Sequence, residues 1–128
     1  MNEENKKKLI VVEDNESIRS LLGVIFKNEG FEVKTTDDGK IFLEMMKEFN
    51  PHAVILDVMM PKMDGETICE KIRQDRAHDN VKIFFLSVLV PNEDKLRLLK
   101  EKYQVSEYFV KPFVNKELTD KVQSKLTD

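Results

Sequence analysis

Chemically useful side chains come directly after four short apolar runs of this sequence. They are Glu13 and Asp14 after residues 9–12, Asp57 after residues 53–56, Ser87 after residues 83–86, and Lys111 after residues 108–110. The set contains three acids, one hydroxyl and one lysine, and each member stands at the same point of a repeated pattern. The first question is therefore what chemistry three carboxylates could do if the fold brought them together.

Three neighbouring carboxylates predict a cation site. Like charges a few ångströms apart raise one another's pKa and destabilise the folded state unless a cation compensates them. Carboxylates without histidine or cysteine suit a hard ion that prefers oxygen, and Mg²⁺ first, which usually combines one or two protein carboxylates with phosphate oxygens. A single aspartate after a strand is more often a helix N-cap or a turn residue, so Asp14 alone would predict nothing.

The apolar runs themselves are predicted to be β-strands, because they are short and rich in β-branched and aromatic residues. They cover residues 9–12, 31–35, 53–56, 83–86 and 108–110. Three of them are apolar throughout, which is typical of strands covered on both faces. The run 31–35 alternates between apolar and polar residues instead, and we expect it at an edge of the sheet.

Between these runs, apolar residues recur with helical spacing. The stripes are Ile18, Leu21, Leu22, Ile25 and Phe26; Phe42, Met45, Met46 and Phe49; Ile68 and Ile72; Leu96, Leu99 and Tyr103; and Leu118, Val122 and Leu126. Asn15 is the expected N-cap of the first helix and Gly30 its stop, while Pro51 ends the second. Five β-α units with short connections predict an α/β fold with a doubly wound, five-stranded parallel sheet. Ligands of such sheets bind beyond the carboxyl ends of the strands, where the polar residues of the first paragraph stand.

Length and composition favour one domain. The chain has 128 residues, 41% of them hydrophobic, and a formal charge of −3, which does not suit a nucleic-acid binder. We expect a solvated tail at residues 1–7 and one domain at residues 8–128. No apolar stretch reaches the roughly 20 residues of a membrane span. The single cysteine, Cys69, excludes an internal disulfide, is expected to be an inert small hydrophobe, and fits a cytoplasmic location. His52 and His78 are expected at the surface.

From about Lys8 to Leu126 the chain resembles the receiver domains of two-component response regulators. The resemblance rests on the acidic pair, on the block "LDVMMPKMDG" that contains Asp57, on Ser87, and on "YFVKP" with Lys111 before Pro112. Each motif is weak alone, but all occur in order and each at a strand end. The resemblance implies a flavodoxin-like (βα)5 fold with strand order 2-1-3-4-5, the order found in a chemotaxis member of the family. It favours a stand-alone receiver.

The resemblance also implies a role for each site residue. Asp57 would accept a phosphoryl group, with Lys111 and Ser87 contacting the phosphoryl oxygens. Mg²⁺ would be bound by Asp14, Asp57 and the carbonyl of Met59, with Glu13 acting through water. Tyr108 matches the aromatic residue that moves with the hydroxyl at Ser87 when the domain switches. The peptide bond before Pro112 is expected to be cis, and the turn at Asp64 and Gly65 is expected to begin a helix.

The expected partners are a histidine kinase or histidine phosphotransfer protein as donor, and a downstream protein at the face of the fourth helix, fifth strand and fifth helix, around residues 95–102 and Tyr108. No direct nucleic-acid or membrane contact is expected. The domain would catalyse its own phosphorylation and dephosphorylation without turning over a separate substrate. The alternatives are a degenerate receiver that only binds proteins, a metal-dependent phosphohydrolase and a flavodoxin-like cofactor module. The phosphohydrolase lacks a second carboxylate at Met59, and the cofactor module lacks a phosphate cradle at "VVEDNES".

Overall fold

Strands and helices alternate along the chain in the computed structural model, which describes residues 6–59 and 63–127. The strands are β1 (Lys8–Val12), β2 (Glu32–Thr36), β3 (Ala53–Asp57), β4 (Lys82–Ser87) and β5 (Val105–Val110). The helices are α1 (Glu16–Asn28), α2 (Gly39–Phe49), α3 (Gly65–Gln74), α4 (Glu93–Tyr103) and α5 (Asn115–Thr127), with a short 3-10 helix, Arg76–His78, before β4. No helix in these ranges is both long enough and apolar enough to cross a membrane.

All strand pairs are parallel, and the order across the sheet is β2-β1-β3-β4-β5. The predicted fold class and strand order are confirmed, and β2 lies at an edge as its alternating sequence predicted. The order reverses between β1 and β3, which is where open parallel sheets place their ligands. Asp57 pairs in register with Leu86, and Ser87 with Val110, so the carboxyl ends of β3, β4 and β5 are level.

Successive strand residues point to opposite faces of the sheet, and helices cover both faces. On one face α1 and α5 pack against Leu9, Val11 and Ile55, mainly through Leu22 and Val122. On the other face α2, α3 and α4 pack against the alternate strand residues. Strands covered on both faces need apolar residues at every position, which explains why β3 has the sequence AVIL before its terminal aspartate.

Polar side chains cap the N-termini of the first four helices. The side chain of Asn15 accepts a hydrogen bond from the backbone N–H of Ile18, as predicted for the N-cap of α1. Asp38, Asp64 and Asn92 cap α2, α3 and α4 in the same way. The cap of α1 matters for the site because α1 begins two residues after Asp14.

Three predictions from the sequence need correction. β5 begins at Val105 rather than at residue 108, because its first residues alternate with polar ones as the strand lies at an edge. Leu21 was assigned to the core stripe of α1 but is 45% exposed, since the apolar arc of this helix is wider than its contact with the sheet. His78 was expected at the surface but is only 5% exposed, as the last residue of the 3-10 helix that connects α3 to β4.

Candidate functional site

The carboxyl ends of the strands bring the predicted polar residues to one edge of the sheet. Asp57 is the last residue of β3 and Ser87 the last residue of β4. Glu13 follows β1 directly, and Lys111 follows β5. Each of the four side chains lies at or just beyond the carboxyl end of a different strand, and the parallel topology brings these ends together.

Glu13 is the most buried acid of the site, with 1% of its surface exposed. Its Oε2 accepts a hydrogen bond from the backbone N–H of Asn15 at 3.1 Å, and its Oε1 lies 2.5 Å from Nζ of Lys111. The Lys111 contact is an ion pair that lacks the angles of a hydrogen bond, so Oε1 has no hydrogen-bond partner among the described residues. Burial raises the pKa of Glu13 to about 7, and the contact with Lys111 offsets only part of that rise.

Glu13, Asp14 and Asp57 form a cluster in which one carboxylate oxygen of each lies within 4.8 Å of the others. Asp14 is the exposed member. Burial would raise its pKa, but hydrogen bonding with Glu13 and Asp57, its own backbone N–H and the charge of Lys111 together lower it. An all-oxygen cluster of this kind fits a hard divalent cation. The described residues therefore include a group that could hold a metal ion, as the sequence predicted.

Asp57, the last residue of β3, is buried, with 6% of its surface exposed. Its Oδ1 accepts a hydrogen bond from the backbone N–H of Met59 at 2.9 Å, and its Oδ2 lies 3.6 Å from Nζ of Lys111. The ammonium group of Lys111 thus stands between Glu13 and Asp57. Residues 60–62 of the "LDVMMPKMDG" block lie outside the described residues.

The backbone at Lys111 is hydrogen-bonded to the neighbouring strand. Its N–H donates to the carbonyl of Ser87 at 2.7 Å, which connects the residue to the end of β4. From the end of β5 the lysine side chain reaches the acids at the ends of β1 and β3. The peptide bond from Lys111 to Pro112 is cis, as predicted.

Ser87 and Tyr108 are linked through the loop that follows β4. The Oγ of Ser87 accepts a hydrogen bond from the N–H of Leu89 at 3.1 Å, while the hydroxyl of Tyr108 donates to the carbonyl of Leu89 at 3.0 Å. The ring of Tyr108 meets Phe85 edge to face. The two residues predicted to switch together are therefore connected through a single intervening residue.

Sequence reasoning missed two residues around the acidic pair. Nη1 of Arg19, on α1, donates to the carbonyl of Glu13 at 2.9 Å. The carbonyl of Thr36, at the end of β2, accepts a hydrogen bond from the N–H of Glu13 at 3.1 Å. Neither residue follows an apolar run in the way that drew attention to the others. The only signal for Arg19 was its place one helical turn after the N-cap.

A family model for the response regulator receiver domain matches residues 9–123. The chain belongs to the response regulator receiver family. Among curated proteins it is 38% identical to the probable transcriptional regulator ycf27 of Cyanophora paradoxa, over 95% of this chain and 49% of that protein. It is 33% identical to the alkaline phosphatase synthesis transcriptional regulatory protein PhoP of Bacillus subtilis, over 94% of this chain and 48% of that protein. The receiver thus spans about half the length of these relatives.

Solved structures agree with the family. The chemotaxis response regulator CheY4 of Vibrio cholerae superposes with a TM-score of 0.85 at 26% identity, covering 94% of this chain and 99% of that one. A DNA-binding response regulator of the LuxR family from Staphylococcus aureus gives a TM-score of 0.81 at 27% identity, covering 94% of this chain and 98% of that one. Receiver domains of this family interact with histidine kinases. The alternative folds and functions considered from the sequence are not favoured by these likenesses.

Proposed function

We propose that this receiver accepts a phosphoryl group on Asp57 from a phosphohistidine of a histidine kinase or histidine phosphotransfer protein. The observation that carries the proposal is the position of Asp57, a buried carboxylate that belongs to the acidic cluster and also lies beside the ammonium group of Lys111. A buried nucleophile that shares a metal-binding cluster and has a cationic side chain next to it suits phosphoryl transfer, because that reaction depends on positioning and charge neutralisation.

In the transfer step a carboxylate oxygen of Asp57 forms a bond to phosphorus while the P–N bond to the donor's imidazole breaks. The electron pair of the broken bond stays on the imidazole nitrogen. The hydrogen bond from the N–H of Met59 to Oδ1 holds the carboxylate in one orientation for this attack. Nζ of Lys111 lies 3.6 Å from Oδ2, close enough to form an ion pair with an oxygen of the phosphoryl group once that group is attached to Asp57.

Asp14, Asp57 and the backbone carbonyl of Met59 would hold Mg²⁺, with Glu13 contributing through water. When bound, the ion supplies positive charge that neutralises the phosphoryl oxygens and relieves the repulsion among the three carboxylates. The fit rests on the oxygen-only donor set of the three clustered carboxylates.

Ser87 and Tyr108 would carry the signal away from the site. The hydroxyl hydrogen of Ser87 can be donated to a phosphoryl oxygen, because Oγ acts as an acceptor toward Leu89. A shift of Ser87 would move Leu89 and break or strain the hydrogen bond from Tyr108. The downstream partner is expected at the surface formed by α4, β5 and α5, to which Tyr108 belongs.

Two further expectations remain predictions. We expect the protein to be located in the cytoplasm, and we expect these 128 residues to make no direct contact with nucleic acid. The second expectation does not extend to the longer proteins to which the chain is similar.

The proposal is tested by incubating the protein with acetyl phosphate and Mg²⁺ and measuring its intact mass. We expect the mass of one added HPO₃ group in the wild type, and none in Asp57→Asn or after chelation of the metal. Lys111→Met should slow the reaction strongly. A wild type that gains no mass would favour the alternative of a degenerate receiver that only binds proteins.

A further inference from the structure

We infer that Arg19 is a positioning residue for the acidic pair, acting through the peptide group between Glu13 and Asp14. The inference rests on the proposed function, because the purpose of that positioning is to orient Asp14 for a metal ion. Nη1 of Arg19 donates to the carbonyl oxygen of Glu13 at 2.9 Å in a partly buried contact. Arg19 does not touch the carboxylates or the reacting atoms, so its effect would be exerted through the backbone.

Glu13 is held at each of its polar atoms, and Arg19 supplies the contact to its carbonyl. Its N–H donates to the carbonyl of Thr36, and its Oε2 accepts from the N–H of Asn15. Its Oε1 is paired with Lys111. Three of these contacts fix the residue relative to β2, the start of α1 and the end of β5. The contact from Arg19 is the one that fixes the plane of the peptide group leading to Asp14.

A peptide group is planar, so the Glu13 carbonyl and the Asp14 N–H and Cα move as one unit. Fixing the oxygen with Arg19 therefore fixes the position from which the Asp14 side chain starts. Asp14 is exposed and lies in the turn between β1 and α1, where few packing contacts could do the same. The N–H of Arg19 also donates to the carbonyl of Asn15 at 2.9 Å, so the arginine is itself anchored in the first turn of α1.

The arginine acts here by geometry more than by charge. Its guanidinium donates to the neutral carbonyl of Glu13 and forms no ion pair with the three carboxylates of the cluster. Guanidinium presents several donors in a rigid planar arrangement, whereas the ammonium group of lysine is a point charge on a flexible stem. A lysine at position 19 would keep the charge and lose the fixed direction of the hydrogen bond, so it should not replace the arginine fully.

The test is a titration of the phosphate-free protein with Mg²⁺ by calorimetry, together with NMR of the Asp14 amide in EDTA. The variants are Arg19→Met and Arg19→Lys, with Arg76→Met as the matched control, because Arg76 is an exposed arginine on the 3-10 helix. Losing a residue that orients a metal ligand typically weakens binding about 10- to 100-fold. We expect the Mg²⁺ dissociation constant to rise about 10-fold in Arg19→Met, somewhat less in Arg19→Lys, and not at all in Arg76→Met. The Asp14 amide resonance should shift in both Arg19 variants.

Unchanged Mg²⁺ affinity in Arg19→Met would overturn the inference. A weaker Mg²⁺ affinity in Arg19→Met could also arise from lower stability, which is measured in EDTA. In that case a third variant, Arg19→Ala, is titrated with Mg²⁺ in the presence of methylguanidinium. Restored Mg²⁺ affinity supports the positioning role, and no restoration refutes it. If the wild type binds no Mg²⁺, the proposed metal site fails instead. The role of Arg19 is then tested by the Asp14 amide resonance in EDTA, which reports the orientation of the peptide group without any metal. An unshifted resonance in Arg19→Met would refute that role.

Discussion

Lys111 is shared unequally between the two buried acids beside it. Its Nζ lies 2.5 Å from Glu13 but 3.6 Å from Asp57, so most of its compensation goes to the acid that is not the proposed phosphoryl acceptor. Asp57 is left with the N–H of Met59 and with two neighbouring carboxylates. In the absence of metal this arrangement is electrostatically unfavourable, which is the condition under which a site gains most from binding a cation.

This crowding predicts that Asp57→Asn stabilises the metal-free protein. The amide keeps the shape of the side chain and removes the negative charge of Asp57 from the three-carboxylate cluster. We expect the free energy of unfolding in EDTA to rise by about 1 kcal/mol, within the range of single substitutions. Asp37→Asn is the control, because Asp37 is exposed and has no ion pair among the described residues. Denaturant melts of both variants measure the effect, and a less stable Asp57→Asn would refute the repulsion argument.

Cys69 provides a second prediction at this scale, one with a defined pH dependence. The residue is fully buried, and burial raises the pKa of its thiol from 9.0 to about 12. The native thiol should therefore react with an aromatic disulfide reagent only after unfolding, since the thiolate is the reactive form. Because the folded pKa is the higher one, the stability that this group contributes is complete below pH 9.0 and is lost as pH rises toward about 12. Rapid labelling of the native protein near neutral pH would contradict this.

At the scale of elements, apolar periodicity predicted all five strands and all five helices, and the strand ends predicted the site. Boundaries were least certain where exposure is intermediate. β5 is half-buried along most of its length, and its first half contains the polar residues Ser106 and Glu107. The search for apolar runs therefore placed the start of this strand too late. The turn before it uses Gln104 at φ 53°, a left-handed conformation that usually signals glycine and could not be read from this sequence. The contact of Arg19 with the Glu13 carbonyl and the burial of His78 were missed, because neither follows from the apolar pattern of the sequence.

Arg73 was missed for the same reason, and it yields a prediction about how elements are held together. From α3 its guanidinium donates to backbone carbonyls around the start of β4 and the turn before β5: His78, Asp79, Val81, Tyr103 and Gln104. Arg73→Met should lower the free energy of unfolding by about 3 kcal/mol, because hydrogen bonds to charged groups contribute about 1.5–3 kcal/mol each and water can replace some of them. Arg76→Met is the matched control, and thermal melts in EDTA measure both. A loss no larger than that of the control would show that water satisfies these carbonyls equally well.

At the scale of the whole molecule, the site joins elements that are far apart in sequence. Glu13, Asp57 and Lys111 come from the beginning, middle and end of the chain, so any ligand that holds the acidic cluster also favours the folded state over the unfolded one. The fold as a whole was predictable because five similar β-α units leave few alternatives to a parallel sheet. Its membership of the receiver family supports the same architecture.

Mg²⁺ should accordingly stabilise the whole protein by mass action. At a concentration 100 times the dissociation constant, the gain in the free energy of unfolding is about 2.7 kcal/mol for one site. The gain should largely vanish in Asp14→Ala and persist in Asp37→Ala. Thermal melts with Mg²⁺ and with EDTA give the two differences. An equal gain in Asp14→Ala would mean that the ion binds elsewhere.

The central claim is that Asp57 is the phosphoryl acceptor, and locating the modification tests it most directly. The protein is treated with acetyl phosphate and Mg²⁺, reduced with borohydride, and digested for peptide mass mapping. Hydride converts an aspartyl phosphate to homoserine and releases phosphate, so the modified residue is marked permanently. We predict homoserine at position 57 in the wild type and none in Asp57→Asn. Homoserine at position 14, or a phosphorylated serine or histidine in place of homoserine at position 57, would contradict the account.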